Sequence, residues 1–167
     1  ADFLLLAQMP EPQPAWAQQY NFEMEPVWAR KFEPPAISGS ETQEIIRSLM
    51  QIYEITGVKR YLETLPRALE YLKRSQIEPG KLARFYELKS NRPLYMTREY
   101  QLTYEPNDLP THYGFIVGSS HETLQKRLDR LTSTKWIAPK DLVSSDGNRN
   151  KKKPADGEIL EVIEALD

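Results

Sequence analysis

Cysteine is absent from all 167 residues, so neither a disulfide framework nor a thiolate metal site is available. Glycine is scarce as well, seven residues against thirteen prolines, which predicts long, stiff connections between helices. There is no Gly-rich phosphate loop, no His-Glu-x-x-His and no Gly-x-Ser-x-Gly, and phosphoryl transfer and serine hydrolysis lose their support. Neither sign of charge dominates: 22 Lys and Arg face 24 Asp and Glu, for a net charge of -2. That balance gives no general pull toward nucleic acid, so a polyanion has to be met by a local cluster. The apolar run Phe3 to Ala7 is too short to span a bilayer, and no basic region precedes it as in a signal peptide. Neither nucleic acid nor a membrane is expected as a partner.

What is present reads as one globular domain over residues 1–167, long enough to bury a core. Phe3 to Ala7 is read as the end of a buried helix, and the lack of a capping run before it suggests a polypeptide that continues upstream. Ser40-Glu41-Thr42-Gln43 has the form of a capping box. Ile45, Ile46, Leu49, Met50, Ile52 and Tyr53 then recur at helical spacing until Gly57. Proline is tolerated in a first turn, so Thr64-Leu65-Pro66 restarts a helix, and residues 40–74 form a helical hairpin. Pro79-Gly80 marks a turn. Alternating and aromatic runs at 82–88 and 94–104 make a short strand pair around an Asn91-Arg92-Pro93 turn. A polar helix is expected from Ser120 to Leu131, and a last one after Ala155, carrying Ile159, Leu160, Val162, Ile163 and Leu166. The basic run at 148–153 reads as a solvated loop. His112 and His121 are lone histidines, read as structural.

One stretch stands apart. From Gln13 to Glu33 the chain crowds Trp16, Tyr20, Trp28 and Phe32 with Gln18, Gln19 and Arg30, among prolines that forbid a continuous helix. Flat apolar faces beside amides and a guanidinium suit a sugar that carries a carboxylate. Trp16, Tyr20 or Trp28 offers a stacking face, Gln18 and Gln19 bond hydroxyls, and Arg30 meets an anion in a fork. The competing reading is a hairpin that seals a helical core, with Arg30 paired to Glu23, Glu25 or Glu33.

Gln13-Pro14-Ala15-Trp16-Ala17-Gln18-Gln19-Tyr20-Asn21, then Pro26-Val27-Trp28-Ala29-Arg30-Lys31-Phe32-Glu33 and Ser38-Gly39-Ser40-Glu41, resemble the catalytic segment of the family-10 pectate lyases, or pectic acid lyases. Leu82-Ala83-Arg84-Phe85-Tyr86-Glu87-Leu88 and Asn91-Arg92-Pro93-Leu94-Tyr95, closing on Arg98, resemble that family's second signature. The likeness covers roughly residues 1–117. It implies a mainly α fold, part of an (α/α) helical toroid with a short β element and long Pro-rich loops, this chain being the C-terminal half of the catalytic domain. It also implies β-elimination of polygalacturonate to unsaturated oligogalacturonides, in a secreted or periplasmic enzyme. By carry-over Arg30 is the catalytic base and Arg84 and Arg98 bind substrate carboxylate. Trp16, Gln19 and Tyr20 complete the proposed substrate contacts. Calcium is the implied cofactor, with its ligands upstream of this chain and none within it, and the chain alone is expected to be inactive. Two further classes stay open: a non-catalytic pectin-binding module and a helical protein-interaction scaffold, the latter disfavoured by the lack of a fixed repeat.

Overall fold

The computed structural model describes residues 1–138. The basic run at 148–153 and the expected last helix lie outside the described residues. Residues Ala1–Trp136 form one compact unit.

Asp2–Leu6 make a five-residue helix, α1. It is not the end of a buried helix: Phe3 and Leu6 face solvent, and only Leu4 and Leu5 pack against the core. Residues 9–36 then run as turns and extended backbone, as the prolines require, pinned by single bridges Ala17 to Ile37 and Tyr20 to Pro26. A two-residue strand, β1 (Ile37–Ser38), leads directly into helix α2 (Gly39–Thr56). Ser38, not Ser40, is the cap. Its backbone is extended, its oxygen accepts from the Glu41 amide at 3.3 Å, and its hydroxyl donates to the Glu41 carboxylate. Ile46, Leu49, Met50 and Tyr53 form the buried stripe of α2, and Gly57 ends it at φ 70° with Trp136 packed where a Cβ would stand.

Helices α3 (Arg60–Glu63) and α4 (Leu65–Arg74) follow, with Pro66 in the first turn of α4. Strands β2 (Gln76–Glu78) and β3 (Lys81–Ala83) pair around Gly80, as the Pro-Gly turn predicts. The expected strand at 82–88 breaks at Arg84, whose amide donates to the Phe115 carbonyl at 2.7 Å. The chain changes sheets there. β4 (Phe85–Tyr86), β5 (Pro93–Met96), β6 (Leu102–Thr103) and β7 (Ile116–Gly118) precede the final described helix, α5 (His121–Ser133). One sheet has the order β1-β4-β5-β6 and the other β2-β3-β7, antiparallel throughout.

This overturns the expected mainly α toroid. The described residues make an α+β unit in which α2, α4 and α5 pack on one another, while residues 76–118 together with β1 form two antiparallel sheets and their loops. The reason is local. Pro79, Pro93, Pro106 and Pro110 block helix continuation, and the aromatic runs between them fit pleated pairs. Trp16, Ile37, Ile46, Leu49, Leu69, Tyr71, Phe85 and Phe115 fill the core. No helix among the described residues is long and apolar enough to cross a membrane.

Two contacts join the two sequence signatures. Ser38 pairs with Phe85 in the β1–β4 ladder, and the Gly39 amide donates to the Arg84 carbonyl at 2.8 Å. A Cβ on Gly39 would stand 2.5 Å from the Ala83 carbonyl oxygen, so only glycine lets α2 start this close to β3. Arg84 is thereby fixed beside the first turn of α2.

Candidate functional site

Ala29 donates to the Glu33 carbonyl (3.2 Å) and Glu33 to the Arg30 carbonyl (2.9 Å), closing a turn that presents Arg30, Lys31 and Phe32. The Glu33 side chain points inward, 1% exposed. Its carboxylate accepts from Arg30 Nε (2.7 Å), from Arg30 Nη2, from the Arg30 backbone amide (3.1 Å) and from the Tyr113 hydroxyl (2.8 Å). Burial alone would raise the Glu33 pKa. The donors, with the Gln18 amide beside them, outweigh it and hold the carboxyl down at about 2. Of the three pairings open to Arg30 in the sequence, Glu33 is the one formed.

Arg30 itself is 63% exposed, and its Nη1 edge makes no hydrogen bond among the described residues. Its hydrogen bonds to Glu33 raise its pKa. That direction favours a cation that receives an anion and opposes a base.

Arg84 reaches the same place from the other signature. Its guanidinium lies 4.6 Å from the centre of the Tyr113 ring, that of Arg30 lies 5.6 Å from it, and these two distances bound their separation at about 10 Å. Arg84 Nε donates to the Gly114 carbonyl, and Nη1 stands 3.8 Å from Glu41, the residue capped onto Ser38. Burial and donation to Glu33 push the Tyr113 hydroxyl up to about 12 against the pull of Arg84, so it is a protonated donor at neutral pH. Phe32, Tyr100, His112 and Tyr113 form a continuous aromatic cluster under these cations. Lys31 sits 4.3 Å above the Tyr100 ring, exposed and in no ion pair among the described residues. The arrangement therefore holds three cations and two carboxylates, with the unmatched charge facing solvent.

The other expected contacts are distributed differently. Trp16 is a correction: it is wholly buried, its indole N–H donating to the Leu4 carbonyl at 2.7 Å, and a ring without an open face stacks no sugar. Tyr20 is half-buried, its hydroxyl accepting from the Ala17 amide, and burial pushes its pKa up to about 12 against that bond. Gln19 is exposed and lines a shallow depression with Tyr20 and Phe3. Arg98 pairs with Asp108 at 3.2 Å and, among the described residues, makes no hydrogen bond or cation–π contact with the Tyr113 cluster. Arg84, Arg92 and Arg98 thus answer to Tyr113, Tyr104 and Asp108 respectively, not to a common face.

Sequence reasoning missed Tyr113, Glu41 and Lys31. The Arg-x-x-Glu spacing was a visible signal for Glu33, and the compact Thr111 to Phe115 aromatic run for Tyr113. For calcium the test is the donor set. Among the described residues no group of three or more Asp, Glu or His side chains is placed to hold a metal ion, so these residues do not fit a complete calcium cage.

No family model matches the chain, and no curated protein matches it. Solved structures do. The chain is similar in fold to an aspartate-to-alanine mutant of a family 10 polysaccharide lyase from Cellvibrio cellulosa in complex with trigalacturonic acid, with a TM-score of 0.65 and 18% identity over 78% of this chain and 48% of that one. It is also similar to the family 10 polysaccharide lyase from Cellvibrio cellulosa, with a TM-score of 0.56 and 18% identity over 80% of this chain and 49% of that one. The chain spans about half the length of these structures.

Proposed function

We propose that this chain carries the uronate-binding part of a polysaccharide lyase that cleaves polygalacturonate by β-elimination. The observation that carries the reading is the pair Arg30 and Arg84 on one tyrosine, Arg30 held by Glu33 and Arg84 by the Gly114 carbonyl with Glu41 at 3.8 Å, each reached from a different lyase-like signature. The fold likeness to a lyase in complex with trigalacturonic acid supports it.

In this reaction a base takes the C5 proton, the C–H electron pair forms the C4=C5 double bond, and the C4–O bond breaks with its pair on the oxygen of the departing chain, which takes up a proton from water. Charge builds on the carboxylate attached to C5 as the proton leaves. Arg84 and, as long as it stays protonated, the open Nη1 edge of Arg30 meet that charge, and fixed donors of this kind stabilise the transition state more than the ground state. The Tyr113 ring lies within cation–π reach of both guanidinium groups, and Phe32, 5.1 Å from that of Arg30, adds a second ring there. Arg30 as the proton acceptor requires it to leave Glu33, because the pair stabilises the charged form. Lys31 and Arg84 then act in the other direction, disfavouring a second and third cation in the same cleft. The implied calcium would drain charge from the carboxylate, but the described residues offer no complete ligand set for it.

A second reading is favoured by one observation. The Glu33 pair makes Arg30 a poor base, which suits a pectin-binding module without turnover. The two readings separate by ultraviolet absorbance of unsaturated product from polygalacturonate, measured on the whole protein that carries this chain. Growth of that absorbance with time, lost in Arg30→Lys, is the expected result. Oligogalacturonate binding with no absorbance would leave the binding module.

A further inference from the structure

Strands β5 and β6 are joined by a tight loop, residues 97–101. The Thr97 amide donates to the Gln101 carbonyl and the Tyr100 amide to the Thr97 carbonyl, each at 2.9 Å, and the Gln101 amide donates to the Thr97 hydroxyl at 3.1 Å. A short hairpin loop commonly closes through one residue in the left-handed region, the place of a glycine or an asparagine. Here that residue is Tyr100, at φ 63°. A Cβ crowds the backbone in this region, so a bulky side chain there costs stability. Such strain persists only where the surroundings hold it, and it points to a use for the side chain.

The hydroxyl is not that use. It makes no hydrogen bond among the described residues, so the ring is what the strained backbone places. The half-buried ring lies along Phe32, with centres 6.2 Å apart and planes 28° from parallel, has His112 6.2 Å away, and carries the Lys31 ammonium 4.3 Å from its centre. Phe32 and Lys31 belong to the turn that presents Arg30. Tyr100 therefore reaches the proposed uronate site from the β5–β6 hairpin, independently of Tyr113. A lysine on a free stem has many rotamers to lose when it meets an anion, and an ammonium already resting on a ring has fewer. Cover for Phe32 is the competing use of the ring, and it does not involve Lys31.

We infer that Tyr100 is a positioning residue, held in a strained backbone conformation so that its ring fixes the Lys31 ammonium as a third cation for the uronate held by Arg30 and Arg84. The inference rests on the proposed uronate site and deepens it, since it adds a cation to the anion's surroundings and names the residue that aims it.

The test titrates trigalacturonate calorimetrically into the 167-residue chain and its Lys31→Gln, Tyr100→Gly, Tyr100→Phe and doubly substituted Lys31→Gln, Tyr100→Gly variants, with a thermal melt of each. Affinity is expected to fall about three- to fivefold in Lys31→Gln, the scale of one exposed ion pair, and about as far in Tyr100→Gly. The double variant should fall no further than Lys31→Gln alone, because both changes remove one shared contribution. Tyr100→Phe keeps the ring and should keep most of the affinity. Tyr100→Gly should melt no lower than the wild type, since release of strain offsets the lost ring contacts, and weaker binding without lower stability is a combination that a merely structural tyrosine does not give. If Tyr100→Gly does not fold, Tyr100→Asn, which tolerates the same backbone, takes its place. Unchanged affinity in Lys31→Gln, or single losses that multiply in the double variant, overturns the inference while the dependence on Arg30 stands. A clearly lower melting temperature in both Tyr100→Gly and Tyr100→Asn makes the ring a packing group and overturns it as well. Binding that ignores Arg30→Ala and Arg84→Ala overturns the uronate site and this inference with it.

Discussion

The Tyr113 hydroxyl donates to the buried Glu33 carboxylate at 2.8 Å across 80 positions of sequence. That single bond ties the Pro-rich turn bearing Arg30 to the loop that precedes β7. Tyr113 also carries Arg84 on its ring, so one side chain sets the spacing of the two guanidinium groups.

Removing the hydroxyl while keeping the ring isolates this role. Tyr113→Phe is expected to cost about 1.5–3 kcal/mol, the scale of a hydrogen bond to a charged group. It should also raise the Glu33 pKa, because a donor to the ionised form is lost. Denaturant unfolding at neutral pH checks the first effect, and an unchanged midpoint would show that the bond is replaced by water at no cost.

Acid should loosen the same cluster. The Glu33 carboxyl is depressed from 4.5 to about 2, so its contribution to stability is fully present above about pH 4.5 and disappears as pH falls through about 2. The shift corresponds to about 3 kcal/mol at most, and to roughly 1–3 kcal/mol once solvent screening of the exposed Arg30 partner is allowed for. Stability measured from pH 6 to pH 2 should therefore fall more steeply in the wild type than in Glu33→Gln. Parallel curves would remove Glu33 as an acid-sensitive anchor.

Gly39→Ala tests the link between the two signatures. The added Cβ meets a backbone carbonyl at 2.5 Å, and no flexible side chain can yield there. We expect a loss of about 1–3 kcal/mol in unfolding free energy, with weakened oligogalacturonate binding because Arg84 is displaced. A variant with wild-type stability and affinity would mean that α2 does not position Arg84.

The helices were legible and the sheets were not, for a physical reason. Ile46, Leu49, Met50 and Tyr53 repeat at helical spacing within the 18 residues of α2, a long signal, and α2 and α4 fall where that period places them. Strands of two to four residues hold at most two alternations, so the change of sheet at Arg84 leaves no periodic trace. Trp16 and Trp28 look alike in sequence, each with proline two positions before it and alanine directly after it, yet one is core and the other lies on the surface. Only the fold decides between them. Arg30 and Arg84 were named from their motifs, but Tyr113, which joins them, sits in a run with no charge pattern to single it out.

Exchange of Arg30 for lysine keeps a positive charge and loses the fork that holds Glu33 at two points. Lower thermal stability is expected together with weaker oligogalacturonate binding, and the two losses should occur in the same variant. Lysine that binds as tightly as arginine would make charge alone sufficient and the Glu33 geometry incidental.

Calorimetric titration of trigalacturonate into the 167-residue chain and its Arg30→Ala, Arg84→Ala and Arg98→Ala variants tests the central claim most directly. Saturable binding by the wild type is expected, weakened at least tenfold in Arg30→Ala and in Arg84→Ala, with a smaller loss in Arg98→Ala because that guanidinium faces Asp108. Affinity that is the same in the wild type, Arg30→Ala and Arg84→Ala would contradict the assignment of the Tyr113 cluster as a uronate site.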